Sequence, residues 1–238
     1  MRKANFYGLL LTALAVLVQA PSPIAAAQTS DESSFDKLWN HATLYDNKDN
    51  SFIQKLSLRG RLQIDAALID GEHGDFSDVL WRRFRFGFKS ALFQDWVLHV
   101  EGDWNLNEDI GESYSRLTDA YIGWFPSKNW GLKILKQSAG FTLDGATSSK
   151  SLLTLQRNNL TNNLWFTAEY FTGASISGTL SNRWDYTAGV FSSDGSGELS
   201  HFEAATFMLL SLGSDLAGEL DLDKATIRVD YVYNKEDE

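Results

Sequence analysis

The chain has 238 residues, enough for one large domain or two small ones. Its 21 Lys+Arg against 31 Asp+Glu give a net charge of −10, which argues against nucleic-acid binding, an activity that normally shows a basic footprint. There is no cysteine, so neither a disulfide framework nor a thiolate metal site is available.

Arg2 and Lys3 precede the apolar run GLLLTALAVLV (8–18), which is followed by Pro21, Pro23 and Ala25-Ala26-Ala27. A charged start, a short apolar stretch and an A-x-A site make a signal peptide, residues 1–27, cut after Ala27. The apolar run is shorter than the roughly 20 residues of a spanning helix. Without Arg2 and Lys3 the balance is 19 basic against 31 acidic residues, or −12. An exported chain without disulfides must be held by core burial or by a closed hydrogen-bonded sheet. The 8 Trp, 8 Tyr and 15 Phe, with only 3 Pro, favour strands.

Residues 28–50 are polar and compatible with a short helix at FDKLWNHATLY (35–45). From Ser51 the pattern is period-2 segments separated by turns. In KLSLRGRLQIDAALID (55–70), Leu56, Leu58, Leu62 and Ile64 share one face, and Arg59, Arg61, Gln63 and Asp65 the other. After the turn GEHGDFSD (71–78) comes WRRFRFGFKS (81–90). Successive strand side chains point to opposite faces. Phe84, Phe86 and Phe88 therefore oppose Arg83, Arg85 and Lys89, and strict parity puts Arg82 with the phenylalanines, snorkelling at an interface.

WVLHVEGDW (96–104), RLTDAYIGWF (116–125) and WGLKILKQ (130–137) repeat the alternation, as do NLWFTAEYFTGASISG (163–178), RWDYTAGVF (183–191), HFEAATFMLLSL (201–212) and ATIRVDYVY (225–233). This gives about nine antiparallel up-and-down strands. One connection, from Ser138 to about Asn162, is far longer than its neighbours, as functional loops often are.

Long strands, Trp and Tyr near strand ends, and an ionised polar face point to a transmembrane β-barrel with a wet lumen. A secreted soluble β-protein that binds a ligand or carbohydrate through its aromatics also fits alternation alone. A structural outer-membrane protein with a blocked lumen is a third reading.

GRLQIDAALID, WRRFRFGFKSALFQDW, LTDAYIGWF, GFTLDGATSSKSLLTLQRN and WDYTAGVFSSDG, in this order, resemble the phosphate-selective porin O and P family. The resemblance runs from about Ser51 to about Gly197 and more weakly beyond. It implies an all-β, 16-stranded outer-membrane barrel, of which residues 51–238 supply about half. It further implies a homotrimer in the outer membrane of a Gram-negative-type bacterium, bounded by lipid and lipopolysaccharide and passing small anions. On this reading the chain is an N-terminal fragment or a truncated gene product.

Carried over by residue, the resemblance implies anion contacts at Arg59, Arg61, Arg83, Arg85 and Lys89, and a constriction loop containing Lys150 and Arg157. Guanidinium groups stay charged and offer several donors, which suits handing an oxyanion along a column. The alternative is that Asp65, Glu101 and Asp103 simply neutralise these arginines. Ser138-Ala139-Gly140-Phe141 stands where the family often has Lys followed by Pro-Phe, and Gln156 where it has Glu. With the acidic balance, the expectation is a small-anion pore, with phosphate or polyphosphate as candidate solutes.

His41, His73, His99 and His201 lack metal-ligand spacing, and no nucleophile or phosphate-binding motif is present. The expectation is therefore no enzyme, no cofactor and no metal. Acidic residues at Asp70, Glu72, Asp75 and Asp78 read as a solvated loop, with divalent cations or lipopolysaccharide as the alternative.

Overall fold

The computed structural model describes residues 41–71, 74–148, 157, 170–181, 183–223 and 225–234. Among them ten strands form one antiparallel sheet in sequence order. They are β1 (Thr43–Asp46), β2 (Ile53–Ile69), β3 (Phe76–Leu92), β4 (Trp96–Trp104), β5 (Tyr114–Trp124), β6 (Gly131–Ser138), β7 (Tyr170–Thr179), β8 (Trp184–Ser192), β9 (Thr206–Asp215) and β10 (Thr226–Asn234). Single turns of helix, α1 (Leu143–Ala146) and α2 (Ala217–Leu220), lie in two connections. The all-β, up-and-down expectation holds, with one strand more than the nine counted from sequence. The extra strand is β1, pairing with the start of β2 where a helix reaching Tyr45 was expected. Residues 1–40, including the signal-peptide segment, lie outside the described residues.

The two faces differ as the alternation requires. Register pairs share a face, so Phe84, Phe86 and Phe88 align with Trp104, Gly102 and Val100 of β4, and with Leu62, Gly60 and Leu58 of β2. The same apolar face continues through Ile122, Ile134, Ile176 and Leu210 to Tyr231. Its side chains are open, Val229 at 66% and Tyr231 at 58% exposure, which in water would make an aggregating surface.

That face is bounded by aromatic bands. Trp96 stacks on Trp124 (5.9 Å), which meets Trp130 edge-on (5.0 Å). At the other ends of these strands Trp104 contacts Phe84 (5.9 Å) and Tyr114 (5.6 Å). From Trp96 to Trp104 is eight residues of β4. At about 3.3 Å each and a tilt of about 40°, that is about 20 Å of height, near the roughly 25 Å apolar band of outer-membrane barrels. Among the described residues no helix is long and apolar enough to cross a membrane, whereas barrels cross with strands.

The opposite face is concave. Arg85 Nη1 on β3 donates to the hydroxyl of Tyr170 at the start of β7, 2.7 Å away. These strands are four intervals apart, about 19 Å on a flat sheet. The two side chains meet only because the sheet curls toward them. Connections at one end (47–52, 93–95, 125–130, 180–183, 216–225) are mostly shorter than those at the other (70–75, 105–113, 139–169, 193–205). That asymmetry is typical of bacterial barrels, with the longer loops outside the cell.

Two long connections pack back on the sheet. Residues 139–148 fold onto the concave face. Ala139 joins Phe171, Phe191, Phe207 and Leu209 in a buried cluster, with Phe141 packed against it. Each buried phenylalanine contributes about 1.5–3 kcal/mol. Thr142 N–H donates to Asp230 (3.1 Å), and Arg228 donates to the Gly140 carbonyl (2.7 Å), tying this segment to β10.

The β8–β9 connection is held by Lys136, which is fully buried and donates to the carbonyls of Ser196 and Glu198. The Leu117 amide donates to Gly197 (3.0 Å) and Tyr114 to the Glu198 carboxylate (2.7 Å). Burial works against ionisation of Asp194 in the same connection. Hydrogen bonds from Ser200, the Ser196 amide and Ser192, with the Lys136 charge, nevertheless hold its carboxyl below the usual range. Any support that this carboxylate lends is present above its unfolded value and fades as pH falls through the lower folded one. Lys136→Met is expected to free the connection, since one hydrogen bond to a charged group contributes about 1.5–3 kcal/mol. Limited proteolysis should then cut within 193–205 about tenfold faster or more, with the sheet retained by circular dichroism; an unchanged rate would refute the anchoring role.

Candidate functional site

The concave face of β2–β6 carries the ionised residues in rows that follow the register. Gln63 opposes Arg83, and Arg61 opposes Arg85, which opposes Asp103, which opposes Arg116. The next row is Arg59, Gly87 and Glu101; then Ser57, Lys89, His99 and Tyr121. A last row carries Gly123 and Lys133. The five strand residues expected to contact anions thus share one face.

They do not share one state. Arg85 is 5% exposed and its guanidinium is committed, one nitrogen to Tyr170 and the other to Asp103 at 3.2 Å. Like charges directly opposite destabilise a sheet. Asp103 offsets the Arg61–Arg85 opposition and also lies 4.0 Å from Arg116. Arg83 donates to Gln63 at 2.9 Å. Arg59 is half-buried and Lys89 exposed, and neither has a hydrogen bond or ion pair to a described residue.

Arg82 corrects the parity argument. The register slips between Gln63 and Ile64, which oppose Arg83 and Trp81, leaving Arg82 as the extra residue of a bulge. It turns to Asp65 (3.4 Å), with only 12% of its side chain exposed. A bulge places two residues against one and resets the alternation. Trp81 thereby joins the apolar face, and Arg82 does not snorkel.

Lys133 escaped the sequence reading. It faces the same side from β6 and lies 5.2 Å over the Tyr121 ring. The alternation in WGLKILKQ contained the signal, but only pairing with Gly123 brings it to the Lys89 neighbourhood. Arg157 donates to the carbonyls of Asp144 and Thr147, bracing the inward-folded segment. Lys150 lies outside the described residues.

A curled sheet with an apolar, aromatic-bounded outer face and an ionised inner face has the build of a membrane β-barrel wall. The family model described as phosphate-selective porin O and P matches residues 56–208, from β2 into β9. The chain belongs to that family. That family is one of outer-membrane porins, channel proteins rather than enzymes, and membership sets the soluble ligand-binding alternative aside. No curated protein matches the chain. The porin's apolar outer face is the one suited to lipid, and its cationic rows are the ones suited to the lumen.

Proposed function

We propose that this porin passes small anions passively, with Arg59, Arg61, Arg83, Arg85 and Lys89 lining the route. The observation that carries this reading is that Arg59 and Lys89 face the concave side with no hydrogen bond or ion pair to a described residue. Rings and columns of charged side chains select ions in pores. Arg83, held by Gln63, and Arg85, held by Asp103 and Tyr170, add positive potential together with Arg61 opposite Arg85. The inward-folded segment braced by Arg157 supports a constriction in the same region, and Lys150 belongs to the same connection. Export by residues 1–27, a homotrimeric state and contact with lipid and lipopolysaccharide complete the proposal. Phosphate or polyphosphate are the candidate solutes.

In planar bilayers under a potassium chloride gradient, the protein is expected to give a reversal potential on the chloride side. Preference for potassium would overturn the reading.

A further inference from the structure

Arg228 and Asp230 stand on the concave side of β10, away from the ionised rows of β2–β6, and the function proposed so far does not use them. Together they grip the backbone of the inward-folded segment. Arg228 donates through Nη2 to the Gly140 carbonyl (2.7 Å) and through Nε to Asp230 (2.7 Å). Asp230 also accepts from the Thr142 amide (3.1 Å) and from the Ser211 hydroxyl on β9 (2.6 Å). Its side chain is only 12% exposed, and hydrogen bonds to a charged acceptor are the strong ones. The backbone they grip would not rest there unaided. Gly140 and Thr142 have φ of 68° and 61°, and a residue other than glycine keeps that left-handed conformation only where its surroundings impose it. Thr142 passes the constraint on to α1. Its hydroxyl accepts from the Gly145 amide (3.0 Å) and its carbonyl from the Ala146 amide (2.8 Å).

The course of the segment shows what the grip achieves. From the end of β6 it crosses Phe171 on β7, Phe191 on β8, and Phe207 and Leu209 on β9, before it meets Arg228 and Asp230 on β10. It lies along the wall over the apolar half of the concave face, where those three rings are at most 3% exposed. The ionised half stays beside it. Apolar burial is non-directional, so the Phe141 contact keeps the segment near the wall without fixing how it lies. The hydrogen bonds to β10 supply the direction.

The geometry points to Arg228 and Asp230 as positioning residues that clasp the segment to the wall and thereby hold the pore open. This rests on the concave face being the lumen and is independent of which ion passes. Freed from the clasp, the segment remains joined to β6 and β7, and α1 swings into the space beside the ionised rows.

Single-channel recording of the purified porin under steady voltage tests this. The wild type is expected to hold one open level. Asp230→Ala removes the acceptor shared by Thr142, Ser211 and Arg228. It should raise the fraction of time spent at reduced conductance about tenfold or more, the effect of losing one hydrogen bond to a charged group. Asp230→Asn keeps an acceptor oxygen and should fall between the two. A second variant separates gating from failure to fold. The chain has no cysteine, so Thr142→Cys combined with Asp230→Cys allows a disulfide in place of the clasp. Oxidised with diamide, this variant should stay open like the wild type. Reduced with dithiothreitol, the same channels should close as Asp230→Ala does. Unchanged dwell times in Asp230→Ala and in the reduced double variant would overturn the clasp. Steady openings of higher conductance would overturn it too, because the freed segment would then leave the lumen instead of entering it. A wild type without conductance would overturn the pore reading itself.

Discussion

Gly87→Val is expected to abolish assembly of the folded sheet. Gly87 lies in the cationic row between Arg59 and Glu101, where valine would otherwise suit a strand. A β-carbon there would fall 2.0 Å from the Val100 carbonyl oxygen and 2.6 Å from the Glu101 α-carbon. Both are backbone atoms of β4, so no side-chain rotation relieves the clash. Glycine within a strand often marks such an approach by a neighbouring backbone. Overpacking costs about 1–3 kcal/mol even where side chains can adjust, and here the β3–β4 ladder itself must open. Gly87→Ala already carries the offending atom and should lose much of the folded yield. Gly111→Ala is the control, because nothing stands within 4 Å of its added carbon. The measurement is the fraction of protein in the membrane that resists SDS unfolding at room temperature, seen as a mobility change on heating. Wild-type yield for Gly87→Val would show that β3 and β4 are not so closely apposed.

The split between legible and hidden features has a physical origin. In WRRFRFGFK the two faces meet different solvents, so alternation alone separates Phe84, Phe86 and Phe88 from Arg83, Arg85 and Lys89. The faces of β2 and β4 follow for the same reason, and the long connection after β6 shows in its length. What alternation cannot carry is any break in itself. One inserted residue at Arg82 reverses the parity upstream, takes Arg82 off the phenylalanine face where parity put it, and leaves Trp81 on that face. Contacts made by curvature are equally hidden. Arg85 and Tyr170 are 85 residues apart and touch because the sheet curls, so sequence cannot tell a pinned arginine from an available one. Lys136 is a similar case. Its burial depends on a connection sixty residues later, and a lysine in KILK carries no mark of that.

The difference between pinned and available cations predicts the largest functional effect. Replacing Arg59 and Lys89 together by glutamate is expected to reverse the ion preference, whereas Arg85→Gln should leave its sign unchanged. An ion passing within about 4 Å of one full charge gains about 1 kcal/mol even at the dielectric of bulk water. Reversing a charge changes that term twice over, so two reversals amount to about 4 kcal/mol for either ion before screening, several hundredfold against the anion and as much in favour of the cation. Arg85 already shares its charge with Asp103 at 3.2 Å, so its loss exposes a carboxylate rather than removing an available binding group. Its cost should fall on folding, because a buried pair has lost one member and the Tyr170 hydroxyl its donor. Reversal potentials at about 0.1 M salt, where the screening length is about 10 Å, should show the sign change clearly. At about 1 M the length shrinks to about 3 Å and the difference should contract with it. Anion preference that survives in the Arg59 and Lys89 double variant would remove these two residues from the conduction path and transfer the role to the arginines fixed beside Asp103.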